Sequence, residues 1–548
     1  MQGRALLVLL VPVALALFAY RDVPALGYTG VDAPPWVRGS DLTTQRGLSF
    51  LLAEKHFVSY RPFTALSYAL GRLVHGTGPA GYQVTDLLLH LACVAAAFAL
   101  GQKLFGSTFS AGVVAGVVAL HPIGIEAVPV LARRGDLLVA LLGTLAVLAS
   151  LRGHSLTASG LTFLAFFTKE PAAVLPLVIF GVGWVEGGES VRDRLQRAAA
   201  RALGPLLALV AGLGLRLLVL GGLGGYEREA FPRWGIAGDF LLGLAFPNLG
   251  ALFPSLALSP LPAPPALRLT MLAATLALPL GAVIVAGRRC DAPRTFRPAF
   301  LAAGPLWLLA HLALYVASGT FLTRLLYPSL VPLGVTVAWM IARARDGRPR
   351  WRCVGGGALV LPLLITWIVY GPLARGSGEW REASRLQRNL LMAIENGLRD
   401  SGGEPVVLVA NYPFGIKIDP AQRRPSFARA EVFFDLDFTE PAGETGIQDL
   451  VALTREGARI EPLTYLTARQ AGLVLDIEVT SEEGLLCVRQ RGGPYDSHGN
   501  PKLGIFGPAG SPIVYDRPLP AGTRLLLFDL RAGEMRPFPR KVVFDVVP

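Results

Sequence analysis

Charge is what this sequence has least of. Of its 548 residues, 16% are Asp, Glu, Lys or Arg, where a soluble globular chain carries about 25%. With 52% hydrophobic residues and a mean hydropathy of +0.48, that deficit excludes both an ordinary soluble enzyme and a disordered chain. Cysteine is scarce as well. Cys93, Cys290, Cys353 and Cys487 form no CxxC pair and no metal-like spacing, so neither a disulfide framework nor a zinc site is supported. No internal repeat of tetratricopeptide or other length is present in the sequence. Basic residues outnumber acidic ones, 51 to 39, for a formal charge of +12. In an apolar chain such a surplus marks cytoplasmic loops, and no nucleic-acid partner is expected.

What the sequence has instead is long apolar runs. A spanning helix needs about 20 apolar residues. Eleven crossings are expected, near 5–20, 84–105, 109–127, 136–152, 156–169, 171–186, 202–221, 268–287, 299–317, 326–342 and 353–372. Arg4 ahead of a short apolar run also fits a signal peptide, but no small-x-small cleavage site precedes Arg21. Three connections are Arg-rich: 187–201, 288–298 and 343–352. The positive-inside rule places them in the cytoplasm. With a cytoplasmic N-terminus, eleven crossings then deliver residues 373–548 to the outer side of a bacterial-type plasma (inner) membrane. The Pro/Gly-broken segment 237–258 is apolar enough to span, yet a simple crossing there would invert the 288–298 connection. It reads as re-entrant or as a surface element buried in protein.

Two domains follow: a transmembrane domain over 1–372, with a first outer loop at 21–83, and a periplasmic domain over 373–548. After Leu386, Leu390, Ile394 and Leu398 at helical spacing, runs rich in Val, Leu and Phe recur at 405–412, 430–438, 472–480, 484–491, 523–530 and 541–547. Gly, Pro and Asp turns separate them, the pattern of a β-rich domain. Asn411-Tyr412-Pro413 and the run Phe433 to Phe438 are its most distinctive features and read as strand ends and an edge strand.

An ionisable group inside a membrane segment costs roughly 2.5–3.5 kcal/mol on insertion scales, so such groups usually face a cavity and are functional. Here they gather at outer helix ends. Asp32 and Asp41 lie in the first outer loop; His121, Glu126, Arg133, Arg134 and Asp136 bracket the second; Lys169 and Glu170 occupy the third; Arg324 and Tyr327 occupy a later one.

Four blocks among these residues resemble a known family. Tyr60-Arg61-Pro62-Phe63 with Leu66-Ser67-Tyr68, His75-Gly76, Gly81-Tyr82 and Leu89-His90 is similar to the first part of the GT-C membrane glycosyltransferases. The likeness is to the transmembrane O-mannosyltransferases that normally carry tetratricopeptide repeats. Leu120-His121-Pro122, Glu126-Ala127-Val128 and Arg134-Gly135-Asp136-Leu137-Leu138 resemble that family's second block. Phe167-Thr168-Lys169-Glu170 with Pro176 resembles its Ser-Lys-Glu loop, and Arg324 with Leu326-Tyr327-Pro328-Ser329 its Arg-Tyr-Leu-Tyr-x-Pro-Ser element. Together the blocks cover about residues 20–343. The family's paired acidic motif appears as Val31-Asp32-Ala33, with one carboxylate gone, and the repeat array is replaced by the β-rich segment.

The resemblance implies a polytopic α-helical GT-C fold. It also implies transfer of a sugar, mannose among the options, from a polyprenyl-phosphate carrier to a protein, lipid or glycan acceptor, with inversion. An acceptor hydroxyl needs a positioned base. Asp32 is the first choice against a turn-capping Asp, and Asp41 the second against a helix N-cap. Glu126 and Asp136 either steer cations, bind a divalent ion or hydrogen-bond the sugar; an ion pair of Glu126 with Arg133 or Arg134 is the alternative. The leaving phosphate calls for fixed cations, and Lys169, Arg134 and Arg324 are placed for that role or for interfacial snorkelling. His121 either binds substrate or is satisfied by backbone; Tyr327 either lines the carrier groove or decorates the interface. Arg61 reads as structural, tying its loop to the acidic cluster. No cofactor is required by this reading, beyond the possible divalent cation. The rival functions are a flippase of a lipid-linked glycan, against which no internal symmetry is seen, and an inactive membrane scaffold.

Overall fold

The computed structural model describes residues 2–222 except 30–32, 54–58 and 189. It also describes 298–346 except 319–322, positions 237, 240 and 244, parts of 371–385, and strands between 406 and 545. The expected crossing 268–287, the crossing 353–372 up to residue 370, the run 386–398, Asn411 and residues 434–438 lie outside the described residues.

The chain is a polytopic helical membrane protein. Among the described residues, five segments are long and apolar enough to span: Gly3–Ala25, Pro79–Phe105, Leu131–Leu151, Val191–Leu220 and Leu325–Ala342. Shorter apolar helices occupy Thr108–Leu120, Ser155–Phe166, Glu170–Val185 and Ala302–Ser318, so each falls on an expected crossing.

Helix α1 covers Gln2–Ala19. Leu6, Leu7, Leu10 and Val11 stay exposed on it, a face suited to lipid. The segment 21–83, expected as the first outer loop, is not extended chain. It carries α2 (Ala33–Gly39), α3 (Gln45–Leu52) and α4 (Pro62–His75). Thr44 caps α3 by accepting from the Gly47 amide, and Pro62 at the first turn of α4 loses no hydrogen bond there.

Helix α5 (Pro79–Phe105) starts the same way, at a proline, and stops where Gly106 turns left-handed at φ 62°. Ser107 then caps α6 (Thr108–Leu120) through the Ser110 amide. The expected crossing 109–127 breaks at His121, which is extended ahead of Pro122, because proline disfavours helix in the residue before it. A short α7 (Gly124–Ala127) and a 3-10 turn at Leu131–Arg133 lead into α8 (Arg134–Leu151). Next come α9 (Ser155–Phe166), a turn at 167–169, a 3-10 segment Glu170–Val174 and α10 (Leu175–Val185).

Helix α11 runs Val191–Leu220, so the Arg-rich connection is largely helix and not loop. Ser190 caps it, with Asp193 in the first turn, and the arginines extend the helix instead of breaking it. After a wide turn at Ala302–Leu306 come α12 (Trp307–Ser318), a 3-10 segment Thr323–Ser329 and α13 (Leu330–Asp346). The core forms where α5 packs on α6 and α8, α8 on α9, α10 on α11, and α13 on α6.

Beyond residue 405, the described strands are β1 (Val406–Ala410), β2 (Tyr412–Lys417), β3 (Glu431–Phe433), β4 (Arg459–Pro462), β5 (Tyr465–Thr467), β6 (Val474–Glu482), β7 (Leu485–Gly492), β8 (Ile513–Val514), β9 (Arg524–Asp529), β10 (Glu534–Pro537) and β11 (Lys541–Asp545), and they form three sheets in the orders β10-β9-β1-β4, β11-β6-β7-β8 and β3-β2-β5. Strand β1 (Val406–Ala410) pairs in parallel with β4 (Arg459–Pro462) and β9 (Arg524–Asp529).

Candidate functional site

Three of the sequence blocks meet at one end of the bundle. The Phe63 amide donates to the Phe167 carbonyl at 3.2 Å, and Thr64 Oγ1 donates to the Thr168 carbonyl at 2.9 Å. Gly135, at the start of α8, completes the junction. A Cβ there would lie 3.4 Å from Thr64 Oγ1 and 3.6 Å from the Thr168 carbonyl, ordinary van der Waals contact, so the three segments pack closely around this position.

Lys169 donates to Asp136 Oδ1 at 2.5 Å, the two side chains being 8% and 1% exposed. Asp136 Oδ2 is buried and has no hydrogen-bond partner among the described residues. Burial, together with the nearby Arg61 and Arg133, pushes the Lys169 ammonium down to about 8 against the pull of Asp136.

Glu170 stands between two guanidinium groups. Arg61 grips it with both arms, Nε to Oε1 at 3.3 Å and Nη2 to Oε2 at 2.8 Å. From α11, Arg216 Nη1 reaches the same Oε1 at 2.9 Å. Burial opposes the charge on Glu170, but the two arginines outweigh it and hold its carboxyl well below the usual range. The expectation that Arg61 ties its loop to the acidic cluster fits this contact. Neither Glu170 nor Arg216 stood among the expected site residues. A lone arginine in the apolar run 202–221 was the available signal for Arg216.

Arg134 is fully buried at the start of α8. Its Nε donates to Asp86 Oδ1 at 2.5 Å, with both side chains 0% exposed. Nη1 and Nη2 go to the carbonyls of Ser67 and Tyr82 at 3.2 and 3.1 Å. The Tyr68 ring lies under the guanidinium, 4.5 Å from carbon to centroid, and Trp36 stacks on the other side of Tyr68 at 5.5 Å. Asp86, the partner of Arg134, is a lone carboxylate on an apolar helix. Glu126 itself is half-buried on α7.

His121 is satisfied by backbone. Its Nδ1 accepts from the Ile123 amide at 3.2 Å and its Nε2 donates to the Leu244 carbonyl at 3.0 Å. Of the segment 237–258, Ala237, Phe240 and Leu244 are described, Phe240 and Leu244 buried and Phe240 against the Tyr315 ring at 5.9 Å. Tyr327 also points inward, its Oη 2.7 Å from His90 Nδ1.

Asp41 caps a turn instead of a helix. Its Oδ1 accepts from the Thr43 hydroxyl at 2.6 Å and the Thr43 amide at 3.0 Å, and its Oδ2 takes a 2.6 Å bond from Arg72 Nη2. Led by the Thr43 hydroxyl, these contacts hold its carboxyl below the usual carboxylate range despite partial burial. Asp32 lies outside the described residues, and Arg324 is described only as part of the Thr323–Ser329 segment. The chain before Asp32 is firmly held. Thr29 Oγ1 donates to the Pro129 carbonyl at 2.6 Å and accepts from Gln83 Nε2 at 2.9 Å and the Leu131 amide at 3.0 Å. Among the described residues, no group of three or more His, Cys, Asp or Glu side chains is placed to hold a metal ion.

No family model matches the chain. A protein O-mannosyl-transferase of Caenorhabditis elegans is 27% identical over 130 residues, covering 22% of this chain and 18% of that protein. Protein O-mannosyl-transferase Tmtc1 of Drosophila melanogaster is 29% identical over 153 residues, covering 26% and 18%. The chain thus matches under a fifth of the length of these relatives. Among solved structures, ArnT from Cupriavidus metallidurans bound to undecaprenyl phosphate superposes with a TM-score of 0.45 and 14% identity over 84% of this chain and 90% of that one. Archaeal oligosaccharyltransferase AglB from Archaeoglobus fulgidus, in complex with an inhibitory peptide and a dolichol-phosphate, gives 0.41 and 12% over 74% and 62%. The chain is therefore similar, over about a quarter of its length, to protein O-mannosyl-transferases.

Proposed function

We propose that this protein is an integral-membrane glycosyltransferase, moving a sugar from a polyprenyl-phosphate carrier to an acceptor hydroxyl or amide at the outer face of a bacterial-type plasma membrane. The observation that carries the reading is the junction of the blocks at 61–64, 134–136 and 167–170, with Lys169, Arg61 and Arg216 gathered around two carboxylates. A site built on fixed cations suits a lipid phosphate that gains charge as it leaves. The relatives' names support glycosyl transfer.

In this reading Asp32 takes the acceptor proton as the acceptor oxygen attacks the anomeric carbon. The bond to phosphate breaks on the opposite face, giving inversion. Lys169 and Arg324 meet the departing phosphate. Residues 1–372 form the catalytic domain of eleven crossings with a cytoplasmic N-terminus, 237–258 is re-entrant, and 373–548 is a periplasmic β-rich domain. Mannose is the sugar suggested by the relatives, and a protein, lipid or glycan hydroxyl the acceptor. The test is transfer of radiolabel from polyprenyl-phosphate sugars by the purified protein, abolished by Asp32→Asn and by Lys169→Ala. Wild-type turnover in Asp32→Asn would remove the base assignment.

A further inference from the structure

The chain that follows the last expected crossing stays on the helical body. Pro372–Arg375 is a short helix packed on α1. Positions 380, 381, 384 and 385 are helical as well, and two buried side chains there hold backbone far away in the sequence. Trp380 donates its indole Nε1 proton to the Ile125 carbonyl of α7 at 2.9 Å. Ser384 Oγ accepts from the Gly27 amide at 3.1 Å. The two residues are four apart, the spacing of one helix face, so a single face meets both segments. Arg381 adds a more exposed contact to Asp22 at 3.4 Å.

Both attachments land on backbone that leads into the candidate site. The Gly27 carbonyl accepts from Gln83 Nε2 at 3.0 Å, the same nitrogen that reaches Thr29 Oγ1. Thr29 passes the connection to the Leu131 amide, and the Leu131 carbonyl accepts from the Tyr68 hydroxyl at 2.5 Å. The Tyr68 ring lies under the Arg134 guanidinium, two residues before Asp136 and its bond to Lys169. Hydrogen bonds therefore run without a break from Ser384 to Tyr68, and ring contact carries them to the start of α8.

We infer that Trp380 and Ser384 are positioning residues of the candidate site, fastening the stretch 22–29 and the turn at 124–131 in one arrangement. The inference rests on the transferase reading above for the reaction that this arrangement serves. Each residue acts through the backbone it holds. Buried backbone groups need partners, and two attachment points on one helix face fix the angle between the segments as well as their separation. The functional unit then extends past residue 372, to 385, and the chain leading to the strands beyond 405 is tied to the site at its root.

The test uses the full chain in detergent. Ser384→Ala and Trp380→Phe are each expected to lower kcat for transfer from radiolabelled polyprenyl-phosphate sugars about fivefold, with the donor KM within about twofold of wild type, because alignment is lost and donor contacts are not. Ser384→Ala should also speed tryptic cleavage after Arg21, at the foot of the stretch 22–29, about fivefold, the scale of one lost neutral hydrogen bond. Cleavage after Arg152, at the far end of α8, should keep its wild-type rate. If Trp380→Phe does not fold, Ser384→Ala, which removes a single oxygen, carries the test. Unchanged kcat in Ser384→Ala, or a raised KM in place of a lowered kcat, overturns the inference. So does wild-type cleavage after Arg21, or equal acceleration after Arg152, which would mark a general loss of stability. Cleavage that changes in the expected pattern in a protein that transfers no sugar upholds the fastening and removes the transferase reading.

Discussion

Lys169 and Asp136 form a nearly dry ion pair at 2.5 Å, and the second oxygen of Asp136 accepts from no described donor. The pair joins the turn after α9 to the start of α8, two segments that share no local sequence. Taking one member away leaves a buried charge without its counterion, which typically costs about 3–5 kcal/mol. Asp136→Asn and Lys169→Met should therefore each lower the thermal midpoint sharply in detergent, while Asp136→Asn/Lys169→Met recovers most of that loss without recovering transfer. Additive losses in the double variant would show that the two side chains do not depend on each other.

The lowered Lys169 value gives two opposite responses to pH. Its ammonium titrates near 8 in the folded protein against 10.5 ordinarily. Between those values the unfolded chain holds more protons, so this group makes stability rise as the pH climbs through that window. Anion binding runs the other way. Undecaprenyl phosphate retention should fall as the pH passes about 8, and Lys169→Gln should lose the step. A flat binding profile in the wild type would place Lys169 away from the anion.

Arg134 is expected to serve the fold. Its guanidinium satisfies Asp86 and two backbone carbonyls on different helices at once, a fork that lysine cannot reproduce. Arg134→Lys should consequently lose stability nearly as far as Arg134→Met, by about 3 kcal/mol or more. If Arg134→Lys kept the wild-type midpoint in thermal unfolding, the interior assignment would be wrong.

Asp41 and Asp32 separate cleanly by mutation. The Asp41 contacts to Thr43 and Arg72 favour its ionised form, so its stabilising contribution holds above the ordinary carboxylate value and disappears as the pH falls through its lower folded value. Asp41→Asn should cost about 1 kcal/mol of stability, as for a partly exposed ion pair, and leave turnover close to wild type. Turnover lost in Asp41→Asn and retained in Asp32→Asn would move the base to Asp41.

Much of this architecture was legible because punctuation residues act locally. Pro62, Pro79, Ser107, Pro122 and Ser190 start or stop helices through their own backbone chemistry, which a sequence states directly. Lys169 and Asp136 also stood out, as ionisable groups beside apolar runs. Partner choice did not. Arg134 finds Asp86 from 48 residues away on α5, and Arg216 finds Glu170 from 46 residues away; both pairings are set by how helices pack, and spacing along the chain carries no trace of them. The Arg-rich stretch before residue 202 read as a loop because charge was weighed there ahead of helix propensity, while the cap at Ser190 was the stronger local signal.

The Thr29 hydroxyl uses its full bonding capacity, one donation and two acceptances, on the Pro129 carbonyl, the Gln83 side chain and the Leu131 amide. A hydroxyl so saturated cannot release one neighbour without disturbing the others. The backbone around 26–29 and that around 129–132 should accordingly exchange their amide hydrogens with deuterium as one cooperative unit. The stem of the first outer loop and the approach to α8 would then be able to open only together.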